Sequence, residues 1–268
     1  MRSAQLSTAT AVALALALTP ALPRAQDPPP PVDLDAPLAA ITAALKDRSG
    51  SLDEEARATL AQLGADFSER PAAEQKKVVR AVRDVLLRGR LRTPELHSIY
   101  VAAAEALGVM GKGGAKALEL TYTRKRFPSK PQWLPVRTAL VRAAGRTREL
   151  GVVKFLCDCA SRAVEDEVML AAGETLAHYA QAPQAVRKDI AKCLILRMSG
   201  LEGQSVTGTP KDPVNLGADM ALRTLAVIRT PWNGTLAKIT GASFETGNDW
   251  QRWWNDHKRS SWPAMPGN

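Results

Sequence analysis

The chain is short of the groups from which active sites are usually built. Three histidines and three cysteines are spread over 268 residues, with no HExxH pair and no cysteine spacing suited to zinc. His97, His178 and His257 stand far apart, and His178, between Ala177 and Tyr179, reads as a hydrogen-bonded structural histidine. Three cysteines make no disulfide framework, which needs an even set in a short chain. Cys157 and Cys159, two apart, point to different faces of a helix and do not pair. Cys157 and Cys193 each fall on an apolar stripe, so buried thiols and a bridge between successive units are both open, with thiols the favoured reading. The run Gly203-Gln-Ser205-Val-Thr207 lacks the second glycine and the flanking strand of a nucleophile elbow. GVMGKGGAK, from Gly108 to Lys116, lacks the glycine spacing, the hydroxyl after lysine and the strand of a phosphate loop. Glu105 and Glu174 take the same place in two repeats, which suits a polar inter-repeat position better than an acid–base pair. No catalytic set, cofactor site or metal site is therefore expected, and the chain reads as a non-enzyme.

Long apolar runs are missing too. The longest, Ala9 to Leu18, is far below the ~20 residues that span a bilayer. It follows Arg2 and precedes small residues at Thr19, Ala21 and Ala25, which is the layout of a secretory signal peptide over 1–25. Export to the periplasm or the outside is the expectation, with no transmembrane helix in the mature chain. Removing 1–25 takes away Arg2 and Arg24 and lowers the formal charge from +9 to +7. A basic exported chain suits an acidic protein partner or an anionic envelope surface, and nucleic acid is not expected. Residues 26–35, with four consecutive prolines, form an extended spacer.

Strand-like alternation is absent as well, so the expected class is all-α. What is present is a repeat. IYVAAAEALG (Ile99–Gly108) returns as VRTALVRAAG (Val136–Gly145) after 37 residues and as VMLAAGETLA (Val168–Ala177) after a further 32. ADMALRTLA (Ala218–Ala226) is a weaker copy. Each unit is long enough for two helices, the mark of an α-solenoid. Earlier, Ser51-Leu-Asp-Glu54 matches a capping box, and Thr93-Pro94-Glu95 matches a helix start. The step from Leu176 to its counterpart Leu225 is 49 residues, and the excess, 199–217, rich in Gly, Ser, Thr and Pro, reads as a loop insertion, either functional or disordered.

On these copies, above all Ala102, Ala106, Leu107 and Gly108, the chain resembles the HEAT-like repeat family of the phycobilisome-lyase type. The resemblance covers about Ser51 to Thr240. It implies a right-handed stack of about four to five helix pairs presenting a binding surface, and members of that family are mostly scaffolds. The repeat domain is placed at 36–240, followed by a helix at 241–258 and a flexible tail at 259–268. In that last helix, opened by Asn248 or Asp249, Trp250, Trp253 and Trp254 share one face. The end of a solenoid needs covering, so a Trp-rich cap is the favoured reading and an exposed aromatic platform for sugar rings the other. Lys76, Arg80 and Arg83 lie on one helical face, and Arg124, Lys125, Arg126 and Lys130, with Trp133 beside them, sit in a neighbouring connection. These eight are the candidate partner-binding residues. The expected function is a non-catalytic protein-interaction scaffold of the cell envelope. The alternative is a binder of anionic or carbohydrate polymers through the basic connections and exposed tryptophans.

Overall fold

Each copy of the small-residue phrase folds as a helix. The protein is described here from a computed structural model, which covers residues 33–88, 91–206 and 216–263. The expected signal peptide, nearly all of the proline spacer and the last five residues lie outside the described residues. Among those described there are eleven α-helices and no strand. First come α1 (Asp35–Lys46), α2 (Asp53–Ala65) and α3 (Ala72–Leu87). The phrase then occupies α4 (Ser98–Leu107), α6 (Leu134–Arg146), α8 (Asp166–Thr175) and α10 (Leu216–Thr240). Between them run α5 (Gly111–Thr123), α7 (Val153–Arg162) and α9 (Gln184–Val206), and α11 (Gly247–His257) follows.

From Leu34 onward these helices make one unit. The phrase-bearing helices meet one another in order, α4 on α6, α6 on α8 and α8 on α10, and α2 packs on α4 ahead of them. Of their partners, α1 packs on α3 and α3 on α5, and α7 packs on α9 and α9 on α11. The glycines of the phrase explain the first series. A Cβ added to Gly108, just past α4, would lie 3.2 Å from Ala143 Cα of α6. On Gly145 it would lie 2.0 Å from Thr175 Oγ1 of α8, and on Gly173 1.9 Å from Trp232 Nε1 of α10. At a packing density near that of organic crystals, only a missing side chain lets the helices come so close. Around these crossings Leu107, Leu140, Ala171, Leu176 and Ile228 are fully buried.

Four local expectations are corrected. The capping box at Ser51–Glu54 is not the device that opens α2. The carboxylate of Asp47 accepts instead from the amides of Ser49 (2.9 Å) and Leu52 (3.1 Å) and the hydroxyls of Ser49 and Ser51 (2.6 and 3.2 Å), while Asp53 turns inward to Arg92. Those hydrogen bonds, the Ser49 hydroxyl first, hold the Asp47 carboxyl well below the usual range. The expected loop at 199–217 is helical over 199–206 as the end of α9 and again from Leu216; its middle, 207–215, lies outside the described residues. Helix α9 continues because Met198, Leu201 and Glu202 are buried. Glu202 accepts from the amides of Gly247 (2.8 Å) and Asn248 (2.9 Å), so the supposed loop carries the group that receives the start of α11. The N-cap of α11 is Thr246, whose hydroxyl accepts from the Asp249 amide at 3.1 Å, in place of Asn248 or Asp249. The tail is likewise docked as far as it is described: Arg187 donates to Pro263 O (2.7 Å), Lys188 to Ser260 O (2.7 Å), and Trp262 is buried.

Candidate functional site

An amphipathic helix beside a glycine-rich helix start makes an open cleft lined by cations. In α3 the valines and leucine Val78, Val82, Val85 and Leu86 are buried, which leaves Lys76 and Arg80 on the opposite, exposed side. Helix α5 begins at Gly111, whose φ of 51° suits a residue without a side chain and lets the chain reverse directly after α4. Two residues on, a Cβ at Gly113 would lie 3.2 Å from Val79 Cγ2, so α5 comes in tight against α3. Between the two helices lies an open groove of about 610 Å³. Phe67, Ala72, Val79 and Met110 supply its apolar lining, and Lys76, Arg80, Arg83, Lys112 and Lys116 its cations.

Most of that positive charge is uncompensated. Lys76, Arg80, Lys112 and Lys116 form no ion pair among the described residues. Arg83 reaches Asp84 at 3.2 Å, but Arg88 claims the same carboxylate at 3.1 Å. A second cleft, of about 520 Å³, lies between α1 and α3, lined by Leu38, Ile41, Leu45, Lys77 and Arg88. Arg80 lines both and stands on the ridge between them.

The structure divides the eight expected residues. Lys76, Arg80 and Arg83 line the groove. Arg124, Lys125 and Lys130 are exposed beyond the end of α5, with Lys125 in the left-handed region at φ 53°. Arg126 is half-buried and donates to Arg88 O at 2.8 Å, tying that connection to the end of α3. Trp133 is no surface residue. It is 6% exposed and stacks on the buried His97 ring at 3.8 Å, where His97 also bonds Gln132 O and Arg92 O. Lys112 and Lys116, outside the eight expected residues, lie in the glycine-rich GVMGKGGAK stretch, whose composition hides a helix. Their i, i+4 spacing opposite the buried Ala115 and Leu118 was the signal that they share a polar face.

An exposed tryptophan platform is not what the chain holds. Trp232 and Trp250 are fully buried, and Trp254 and Trp262 nearly so. Trp253 is half-buried and stacked on His257 at 4.7 Å. Helical spacing drives Trp250 and Trp254 inward, where Trp250 Nε1 donates to Asn233 Oδ1 at 2.8 Å, and the segment after α11 folds back so that Trp262 Nε1 donates to His257 O at 3.0 Å. Ser205 sits inside α9, its hydroxyl donating to Glu202 O at 2.8 Å. Among the described residues no three His, Cys, Asp or Glu side chains gather as a metal site, and no helix is long and apolar enough to cross a membrane. No protein-family description, curated protein or solved structure matches the chain.

Proposed function

We propose that the chain is an exported, non-catalytic interaction module that docks an acidic segment of a protein partner in the groove between α3 and α5. In this reading the ordered packing of α2, α4, α6, α8 and α10, with its second series of partners, is a right-handed α-solenoid of HEAT-like pairs, and the Trp-rich α11 covers the end of the series at α9. The observation that carries the proposal is four unpaired cations over an apolar lining. Charge complementarity selects a segment rich in Asp or Glu, and the lining formed by Val79, Phe67 and Met110 selects one that also bears an aliphatic or aromatic anchor. An anionic envelope polymer is the rival occupant. It would use the same cations and leave the apolar lining unsatisfied, and burial of the tryptophans removes the sugar-stacking surface it would have needed.

The test is a titration of the full chain with a labelled peptide carrying one Leu between flanking glutamates. Replacing Arg80 and Lys112 together by Glu turns two attractions, each about 0.5–1 kcal/mol when exposed, into repulsions. A loss of tenfold or more in affinity, shrinking as salt rises, is expected. Unchanged binding in the double variant would remove the groove from the proposal.

A further inference from the structure

Away from the groove, α7 and α9 bring two cysteines together. Cys193 Sγ donates to the backbone oxygen of Cys157 at 3.5 Å and lies 3.6 Å from Ser161 Oγ, which brings the Cys193 sulfur up against residue 157 of the facing helix. Both residues are half-buried. The third cysteine is differently placed, since Cys159 is 5% exposed and points away toward Tyr122, and burial pushes its thiol up to about 12. The pair is also chemically unequal. The Cys157 thiol and the Ser161 hydroxyl hold Cys193 below the ordinary thiol value, whereas its neighbour Cys193 and burial, with Asp158 and Asp189 adding to them, push Cys157 up. An attacking thiolate and a thiol that resolves the adduct are the two roles a redox-active pair requires.

We propose that Cys157 and Cys193 form a thiol–disulfide exchange site at which a small organic disulfide joins α7 to α9 through a bond between their sulfurs. The Cys193 thiolate attacks one sulfur of the disulfide. The S–S bond breaks, one thiolate leaves and takes up a proton, and a mixed disulfide stands on Cys193. Cys157 then gives its proton to solvent, and its sulfur attacks the Cys193 sulfur and expels the second thiolate. Two protein thiols have lost two electrons and two protons, and the disulfide has become two thiols. Export, as expected from the first 25 residues, would keep the chain where such oxidants persist.

Oxidised glutathione is the probe. The reduced full chain is incubated with it, quenched by alkylation, and read by intact and peptide mass spectrometry. The proposal expects a loss of two hydrogens in mass, a crosslinked pair of peptides holding Cys157 and Cys193, and Cys159 alkylated only after unfolding. C157S should trap glutathione on Cys193, and C193S should slow thiol loss at Cys157 tenfold or more. A lasting glutathione adduct on the wild-type chain, a bridge that includes Cys159, or a chain that stays reduced while its unfolded form oxidises would each overturn it. Should a serine variant fail to fold by circular dichroism, the wild-type peptide map decides alone.

Discussion

Replacing Gly173 by alanine should destabilise the protein, although the same change in an exposed helix does the reverse. Glycine in a helix interior costs about 1 kcal/mol relative to alanine. At Gly173 that gain is available, but the new Cβ would lie 1.9 Å from Trp232 Nε1 and 2.3 Å from its Cε2. An ordinary contact needs about 3.5–4 Å, so the ring or the helix must move by well over an ångström. Trp232 is rigid and fully buried, with no free side to yield to. Overpacking of this kind costs about 3 kcal/mol, which leaves a net loss of roughly 2 kcal/mol after the helix propensity gain. Gly200, inside α9, is the internal control: it is exposed and nothing lies within 4 Å of its Cβ position. There G200A should gain up to about 1 kcal/mol. Urea unfolding of both variants reads the two signs in one experiment, provided the slope with denaturant stays that of the parent. If G173A is as stable as the parent, or both variants shift the same way, close approach to α10 is not what Gly173 is for.

The other predictions concern charge and crosslinking. R92M leaves Asp53 buried without its partner (side chains 9% and 8% exposed) and should cost about 3–5 kcal/mol. Burial, opposed by Arg92, already raises Asp53, so in this variant the penalty should grow as pH climbs from the ordinary carboxylate range through the higher folded value, and should shrink in acid. His178 is exposed, its ring has no hydrogen bond among the described residues, and so it is not the hydrogen-bonded structural histidine expected. Partial desolvation, then Arg148, Arg146 and Lys238, lower it; the folded chain therefore disfavours its charged form, and stability should fall as pH drops below about 6.5 through the folded value. H178Q should flatten that part of a pH series of melting curves, and an unchanged profile would contradict the sign. E202A removes the carboxylate that receives Gly247 and Asn248, at about 1.5–3 kcal/mol for charged hydrogen bonds, and should shift tryptophan emission to the red as α11 loosens. Oxidation of Cys157 and Cys193, 36 residues apart, should stabilise by about 4 kcal/mol through loop closure, seen as a higher Tm in the absence of reductant.

The helices were legible where one face is apolar and the other polar. The phrase around Ala103, Ala143 and Ala171 gave its helices away because periodic burial requires periodic sequence, and the four copies do fall on helices that meet in order. What stayed hidden depends on distant partners. Residues 199–206 look like a loop because Gly200, Gly203 and Ser199 have low helix propensity, and only the packing of Met198, Leu201 and Glu202 beneath α10 and α11 overrides it. The start of α2 is a local exception: Asp47, four residues before Ser51, takes the Ser51 hydroxyl and the Leu52 amide, because a carboxylate is the stronger acceptor. Half the groove was visible as Lys76, Arg80 and Arg83 on one face of α3. The other half, Lys112 and Lys116, arrives from the next pair of helices, and only Gly113 against Val79 shows that the two halves adjoin. Trp133 misled because an aromatic beside a basic run looks like a binding surface, whereas its flat face satisfies His97.

The claim that the groove holds an acidic segment with an apolar anchor is tested most directly by two peptides of equal charge. One carries Leu between glutamates, the other Ser at that position, and both are titrated calorimetrically into the full chain at low and high salt. The account predicts that the Leu peptide binds more tightly at both salts, because its anchor adds a term that salt does not screen, and that V79D abolishes the difference. Equal affinity of the two peptides, with both lost together as salt rises, would contradict it and assign the cations to a purely electrostatic partner.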